Sequence, residues 1–192
     1  MLNKFTKTGW LFLLVFAILS YGCTSSPVDN SGSSTIINDD KRPPRYNYAI
    51  ELMKREDYDK ASEVFLALEP EYTHPDLYTN MAIIYLHKAK LDTAKEYIEK
   101  SISIRPGNYQ SQNIHGVILR KIGKFDEAIA AYNTSIANNG KYPDAYLNIA
   151  ILYDIYLNNA NKALPYYEKY KQLAGNDQNI DKWIVEVTRR AK

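Results

Sequence analysis

Small and apolar residues return at a fixed distance along the middle of this chain of 192 residues. When residues 75–108 are set above residues 109–142, such residues match one another 34 positions apart. The matched pairs include Ala82 with Gly116, Ala94 with Ala128, Ile98 with Tyr132, and Ile102 with Ile136. Within each half they follow the spacing of one face of an α-helix. The pattern therefore predicts an array of paired helices, because a fixed period of about 20–50 residues is typical of repeat proteins.

The same pattern continues on both sides and predicts four units, at residues 45–74, 75–108, 109–142 and 143–176. Each unit has one small residue in its first helix and another in its second. These small residues are Ala49, Ala82, Gly116 and Ala150 in the first helices, and Ala61, Ala94, Ala128 and Ala163 in the second helices. Small side chains let two antiparallel helices approach to about 8–10 Å. Each unit is thus expected to be a tight helical hairpin.

Two units depart from the common length. The first is one residue short between Ala61 and Ala94, and we place the missing residue in the loop of residues 69–72. The fourth is one residue long, and we place the extra residue at 158–159, because asparagine tolerates the left-handed backbone region. Gly123 is expected to have a positive φ in the turn of the third unit, which glycine adopts at least cost.

Residues 177–192 are predicted to form one further amphipathic helix. Its apolar residues lie at positions i, i+3, i+4 and i+7: Ile180, Trp183, Ile184 and Val187. A helical array needs a terminal element with a polar outer face, so we interpret this helix as a cap. The alternative is a helix that docks on a partner. Capping is favoured because Trp183 would otherwise be exposed.

The period and the positions of the small residues resemble the tetratricopeptide repeat (TPR) family along residues 45–174. The resemblance implies an all-α fold, a right-handed superhelical solenoid of about four helix–turn–helix repeats with a C-terminal capping helix. In this family the first helices line an inner concave face, and ligands lie there. The resemblance therefore implies a protein or peptide partner and no cofactor.

Family positions that point into the concave face are candidates for a peptide-binding groove. By the resemblance these are Tyr46, Ile50, Met53, Thr79, Ile83, Leu86, His87, Asn113, Val117, Arg120, Lys121, Leu147, Ile151 and Asp154. Four aliphatic members at equivalent positions form an apolar ladder: Ile50, Ile83, Val117 and Ile151. An extended or helical peptide is expected to bind along this ladder. The alternative, that the four residues only pack against neighbouring helices, stays open.

Some members of the family bind acidic carboxy termini through a clamp of basic and asparagine side chains. Asn80 and Asn148 match a frequent asparagine of the family, but the basic positions of the clamp hold Tyr46, Gln110 and Ile114. That activity is therefore not expected of this chain.

Residues 1–22 have the pattern of a secretory signal peptide. Lys4 and Lys7 are followed by an apolar run over residues 10–19 and then by small residues. The run is too short to cross a bilayer core, which takes about 20 apolar residues. A retained anchor helix over residues 8–21 is the alternative.

Cys23, the only cysteine, follows Gly22 and resembles the lipobox cysteine of bacterial lipoproteins. The resemblance implies that the preceding segment is removed and that Cys23 carries lipid chains, palmitate among them. Thr24 in the next position favours the outer membrane, facing the periplasm. The alternative is a buried thiol of no role. Residues 23–44 are rich in Ser, Asn, Asp, Gly and Pro and are predicted to form a flexible tether.

Charge and the remaining polar residues indicate neither nucleic-acid binding nor catalysis. The net charge of +2 falls to zero without Lys4 and Lys7, whereas binding to phosphate backbones needs a basic surface. His74, His87 and His115 lie in different units, without a cysteine or a close carboxylate pair to complete a metal site. No phosphate-binding glycine loop or hydrolase motif is present. We therefore expect no enzyme, no metal and no small-molecule substrate.

Together these features predict a membrane-anchored scaffold for protein–protein interactions in the bacterial envelope. By resemblance to TPR lipoproteins of the pilotin type, one role is to assist assembly of a pilus or secretin complex. A second interpretation is an adaptor for peptidoglycan hydrolases or envelope proteases. A third, of another class, is an enzyme subunit.

Overall fold

The structure is a computed structural model that describes residues 42–175 and 178–191. Within these ranges the chain forms α-helices and no strand. In chain order the helices are α1 (Pro44–Lys54), α2 (Tyr58–Leu68), α3 (Pro75–His87), α4 (Leu91–Ile104), α5 (Tyr109–Lys121), α6 (Phe125–Asn138), α7 (Pro143–Ile151), α8 (Ala160–Ala174) and α9 (Gln178–Arg190). A π-helical turn, Leu152–Tyr156, continues α7. The predicted signal peptide and Cys23 lie outside the described residues.

Consecutive helices pair into four hairpins, α1 with α2, α3 with α4, α5 with α6, and α7 with α8. Each hairpin packs on the next, and α9 packs on α8 at the end of the array. The predicted fold is confirmed: an all-α, right-handed superhelical solenoid of four repeats with a C-terminal capping helix. None of the helices in the described ranges has the length and apolar character needed to cross a membrane.

Helix starts are set by proline and by capping side chains. Proline occupies the first position of α1, α3 and α7: Pro44, Pro75 and Pro143. Proline suits this position because the missing N–H would have no partner inside the helix. The Oδ1 of Asn108 accepts hydrogen bonds of 3.0 and 3.2 Å from the backbone N–H groups of Gln110 and Ser111 and so caps α5.

The small residues lie where the two helices of a hairpin touch, and the third hairpin shows why size matters there. A Cβ atom added to Gly116 on α5 would lie 2.5 Å from the ring of Tyr132 on α6. Tyr132 is fully buried, so its ring has no free space to move into. The absence of a side chain at Gly116 therefore leaves the space that the ring of Tyr132 fills.

Buried apolar side chains form two clusters. One joins α1, α2 and α3 and includes Phe65, Leu77 and Met81. The other extends from α3 to the turn after α7 and includes Ala82 and Ile118. Helix α3 contributes to both clusters, so successive hairpins are held by continuous apolar contact, as expected of a repeat array.

The extra residue of the fourth unit lies within a helix. Gly123, with the predicted positive φ of 83°, follows Tyr109, the first residue of α5, by 14 positions. Asn158, with a φ of 47°, is the equivalent turn residue and follows Pro143 by 15 positions. A π-helical turn accommodates one inserted residue, so the turn at Leu152–Tyr156 holds it. The prediction that the following loop holds the extra residue is wrong.

Candidate functional site

The first helices of the four hairpins lie side by side and form what we call the inner face, made by α1, α3, α5 and α7. Helix α3 contacts α5, and α5 contacts α7. Side-chain hydrogen bonds join the same helices: Asn80 Nδ2 donates to Tyr46 Oη at 2.7 Å, and Asn148 Nδ2 donates to Asn113 Oδ1 at 3.1 Å. The inner face is therefore held by amide and phenol groups as well as by apolar packing.

The predicted groove residues differ in exposure. Nine are buried: Tyr46, Thr79, Leu86, Asn113, Val117, Arg120, Leu147, Ile151 and Asp154. Four are half-buried: Ile50, Met53, Ile83 and His87. Lys121 is exposed. Within the apolar ladder, Ile50 and Ile83 are half-buried and pack against the two apolar clusters, whereas Val117 and Ile151 lie in the interior. The part of any of these residues in binding stays a prediction.

Buried polar members of the set stabilise the array. The Thr79 hydroxyl lies 2.9 Å from that of Ser101 and 2.8 Å from that of Ser111, and it donates to the carbonyl of Pro75 at 3.0 Å. These contacts join α3, α4 and α5. Because each hydroxyl has partners, the cluster is satisfied inside the protein and needs no ligand.

Asp154 lies in the π-helical turn and binds the end of the array. Its Oδ1 accepts a hydrogen bond of 2.6 Å from Arg190 on α9, and its Oδ2 accepts one of 3.2 Å from the hydroxyl of Tyr167 on α8. Only 5% of the Asp154 side chain is exposed. Its contacts therefore lie with α8 and with the capping helix, which the sequence predicts at this end of the array.

An accessible apolar surface lies on the inner face of the first two units. The imidazole of His87 stacks on the ring of Tyr58, with centroids 4.5 Å apart and planes inclined by 17°. Burial lowers the pKa of His87 from its ordinary value of 6.5, Glu56 opposes this shift, and Lys121 adds to it. The imidazole is therefore neutral at pH 7 and presents no charge on this surface.

Arg120, at the C-terminal end of α5, is a buried cation without a carboxylate partner in the described part of the chain. It is 3% exposed, its Nη1 donates to the carbonyl of Asn148 at 3.3 Å, and its Nε has no acceptor. The guanidinium carbon lies 5.4 Å from the ring centroid of Tyr156, a cation–π contact. Burial and then the charge of Arg120 lower the pKa of the neighbouring Lys121. Two positive charges thus meet at this end of α5.

The π-helical turn ends in an apolar run next to these charges. Ile155, Tyr156 and Leu157 are 43%, 41% and 38% exposed. The ring of Phe125 contacts that of Tyr156 edge-on, at a centroid distance of 5.6 Å. We call residues 155–157 the apolar edge. Sequence reasoning missed this surface, although the length of the fourth unit, one residue above the period, could have indicated it.

The arrangement suits binding rather than covalent chemistry. The inner face offers apolar side chains, a neutral imidazole and two cations, and these are groups that recognise a peptide. Across residues 42–175 and 178–191, no three metal-ligating side chains lie close enough together to hold an ion.

Comparisons with protein families agree with this architecture. A family model described as TPR repeat matches residues 116–154. A second model, described as tetratricopeptide repeat, matches residues 75–108 and 143–177. The matched regions fall on the second to fourth hairpins of the array.

Known proteins with similar repeats include one sequence relative and two solved structures. A TPR repeat-containing protein of Methanocaldococcus jannaschii is 35% identical over 109 residues, which make up 56% of this chain and 19% of that protein. The chain thus spans about a fifth of that relative. The structure of pilF of Pseudomonas aeruginosa gives a TM-score of 0.69 at 17% identity, covering 76% of this chain and 67% of that one.

The structure of YrrB, described as a TPR protein with an unusual peptide-binding site, gives a TM-score of 0.61 at 19% identity. The alignment covers 76% of this chain and 73% of YrrB. Both solved structures share the fold at low identity. The period, the paired helices and the family matches lead to one conclusion: the chain belongs to the tetratricopeptide repeat family.

Proposed function

We propose that this protein is a lipid-anchored scaffold of the bacterial envelope that binds a segment of another protein along its inner face. TPR proteins mediate protein–protein interactions and are generally not enzymes. The observation that carries the proposal is the position of the apolar edge beside Arg120 and Lys121. A buried cation without a carboxylate partner is costly to the fold, and exposed apolar residues do not stabilise it. A partner that covers this region would pair with the cation and remove the apolar residues from water.

The chemistry of this end of the inner face defines the partner segment. An apolar side chain would pack on the apolar edge, and a nearby carboxylate would pair with Lys121 and compensate the charge of Arg120. Further along, Ile50 and Ile83 are half-buried and would contact apolar residues of the same segment. Such a segment lies along several first helices at once, as peptides in hydrophobic grooves do.

The membrane anchor and the location rest on the N-terminal sequence. A signal-peptide pattern that ends at Cys23 supports acylation of that cysteine. Several buried acyl chains, at about 0.8 kcal/mol for each CH₂, would hold the protein on a bilayer. Thr24 supports the outer membrane, with the repeat array in the periplasm.

For the biological role, we favour assistance in the assembly of a pilus or secretin complex. The lipobox and the repeats together support this role, and the similar fold of pilF is in keeping with it. The second candidate is an adaptor for peptidoglycan hydrolases or envelope proteases, which would use the same inner face.

A membrane fractionation experiment tests the anchor. Wild-type protein is expected in the outer-membrane fraction. A Cys23→Ser variant in which an ordinary cleavable secretory signal peptide replaces residues 1–22 is expected in the soluble periplasmic fraction. Equal membrane retention of the two proteins would reject the lipid anchor. In a strain that lacks the protein, accumulation of secretin monomers would support the first role, and altered cross-linking of the cell wall would support the second.

A substitution on the inner face tests the binding mode. Ile83→Asp is expected to abolish partner capture. Because Ile83 is half-buried and packs against the apolar cluster that begins in α3, helix content and melting temperature are measured on the same sample to show that the variant is folded. Glu96→Lys on α4, an exposed site outside the inner face, is the matched control and is expected to leave capture intact. Full capture by Ile83→Asp would reject the inner face as the binding surface.

A further inference from the structure

The first hairpin ends the array with an open face, which we call the end face: Arg45, Tyr48, Glu63, Val64 and Ala67. These residues line a shallow depression of about 340 Å³. Tyr48 is 56% exposed, Val64 is half-buried and Ala67 is exposed. A large aromatic side chain with more than half its surface in water is unusual for a residue in a helix that otherwise buries its apolar side chains.

Equivalent positions in other repeats explain the exposure of Tyr48. The position directly before the small residue of the first helix holds Tyr48, Met81, His115 and Ile149 in the four units, and His115 is half-buried. Met81 and Ile149 are fully buried. Met81 belongs to the cluster that the first hairpin shares with α3. This position is therefore one that a preceding hairpin covers, and for Tyr48 the described residues supply no such cover.

The charges on the end face suit a second copy of the same surface. Arg45 and Glu63 are exposed and of opposite sign, and both line the depression. Neither forms an ion pair with another residue in the ranges that the structure describes, although Asp57 and, more weakly, Glu63 raise the pKa of Lys60. In a twofold contact, a residue of one copy that meets a different residue of the other copy forms the same contact a second time with the roles exchanged. Arg45 of each copy can therefore pair with Glu63 of the other. Tyr48 and Val64 would pack at the centre of this contact.

We infer that the end face is a dimerisation surface, and that two copies of the chain pair through it about a twofold axis. The pairing covers the exposed ring of Tyr48 and brings together two opposite charges that form no ion pair with each other or with another residue in the ranges that the structure describes. It leaves the inner face open, because Tyr48 and Ile50 lie about 200° apart around α1. The inference is independent of the ligand on the inner face.

Equilibrium sedimentation over a range of concentrations tests the inference. The full chain carries Cys23→Ser in all samples, so that acyl chains do not drive association. The parent protein is expected to show a monomer–dimer equilibrium. Tyr48→Glu is expected to raise its dissociation constant by about tenfold or more, because it places a charge at the centre of the contact. Val185→Glu on α9 is the matched control: Val185 is 70% exposed at the other end of the array, and its substitution is expected to leave the dimer unchanged.

Charge reversal distinguishes twofold pairing from other contacts. Arg45→Glu and Glu63→Arg are each expected to weaken the dimer, and the double variant is expected to restore it, because the opposite charges again meet. A parent protein that stays monomeric at all concentrations would overturn the inference, including the case in which residues before 42 cover Tyr48. Equal effects of Tyr48→Glu and Val185→Glu, or a double variant as weak as the single ones, would overturn it as well.

Discussion

The guanidinium of Arg190 donates a hydrogen bond of 2.6 Å to the carboxylate of Asp154, 36 positions earlier in the chain. The contact joins the last turn of α9 to the π-helical turn after α7. The Asp154 side chain is 5% exposed and that of Arg190 is 34% exposed, so water screens the pair only in part. The capping helix is therefore attached to the array by a charge pair as well as by the apolar residues Ile180 and Val187, which are almost fully buried.

Removal of Arg190 is expected to destabilise the end of the array. Arg190→Met leaves the buried carboxylate of Asp154 with Tyr167 as its remaining partner, which we expect to lower the free energy of unfolding by about 1–3 kcal/mol. Urea denaturation followed by circular dichroism measures the change. Arg189→Met is the control, because Arg189 pairs with Glu186 on the surface and is 75% exposed. Equal stabilities of the two variants would show that the Asp154 contact does not hold the cap.

Gly116 is expected to tolerate no side chain. Alanine usually stabilises a helix relative to glycine by about 1 kcal/mol, yet Gly116→Ala places a Cβ against the ring of Tyr132. We expect a net loss of about 1–3 kcal/mol in the free energy of unfolding from overpacking. Gly107→Ala is the control, since a Cβ there would meet nothing within 4 Å. A Gly116→Ala variant that is as stable as wild type would contradict the packing that the structure shows.

Acidification is expected to destabilise the array through its half-buried histidines. Burial is the main cause that lowers the pKa values of His87 and His115 below their ordinary 6.5. As the pH falls, the unfolded chain therefore binds protons at a higher pH than the folded chain does. The free energy of unfolding declines from about pH 6.5 downward. His87→Phe retains a ring beside Tyr58 and removes one titrating group. It is expected to flatten the dependence of melting temperature on pH, and an unchanged slope would contradict the effect of burial.

The length of the π-helical turn is expected to control the apolar edge. Deletion of Ile155 restores the spacing of 14 residues that separates Tyr109 from Gly123 in the preceding unit. Helix content is expected to equal that of wild type, because a regular α-helical turn replaces the π-helical one. Exposed apolar surface, measured by binding of a hydrophobic dye, is expected to fall together with partner capture. Unchanged capture by the deletion variant would remove the apolar edge from the proposed site.

Most of the fold could be predicted because its determinants are local and periodic. Small residues such as Gly116 and Ala128 recur at fixed spacing, and the capping side chain of Asn108 lies beside the helix that it starts. The place of the extra residue could not be predicted. Asn158 has the left-handed φ that asparagine permits, but a turn residue does not reveal whether the insertion lies before it or after it.

The inner face was harder to predict than the fold. Family positions give the direction in which a side chain points, but exposure depends on what the neighbouring repeats carry. Ile83 is half-buried whereas Val117, 34 positions later, is 3% exposed. The burial of Arg120 could not be predicted either, because it depends on the ring of Tyr156 in the π-helical turn. The apolar edge follows from an irregularity of the repeat, and a periodic alignment cannot show it.

Site-specific photo-cross-linking in intact cells can show whether the inner face holds a segment of another protein. A photoreactive amino acid is placed at Ile83 on the inner face or at Tyr156 in the apolar edge, or at Glu96 or Glu168 on the exposed side of the second helices. We expect one discrete cross-linked protein, the same from Ile83 and Tyr156 and absent from Glu96 and Glu168. Cross-links from Glu96 and Glu168 alone, or equal cross-links from all four positions, would contradict binding along the inner face.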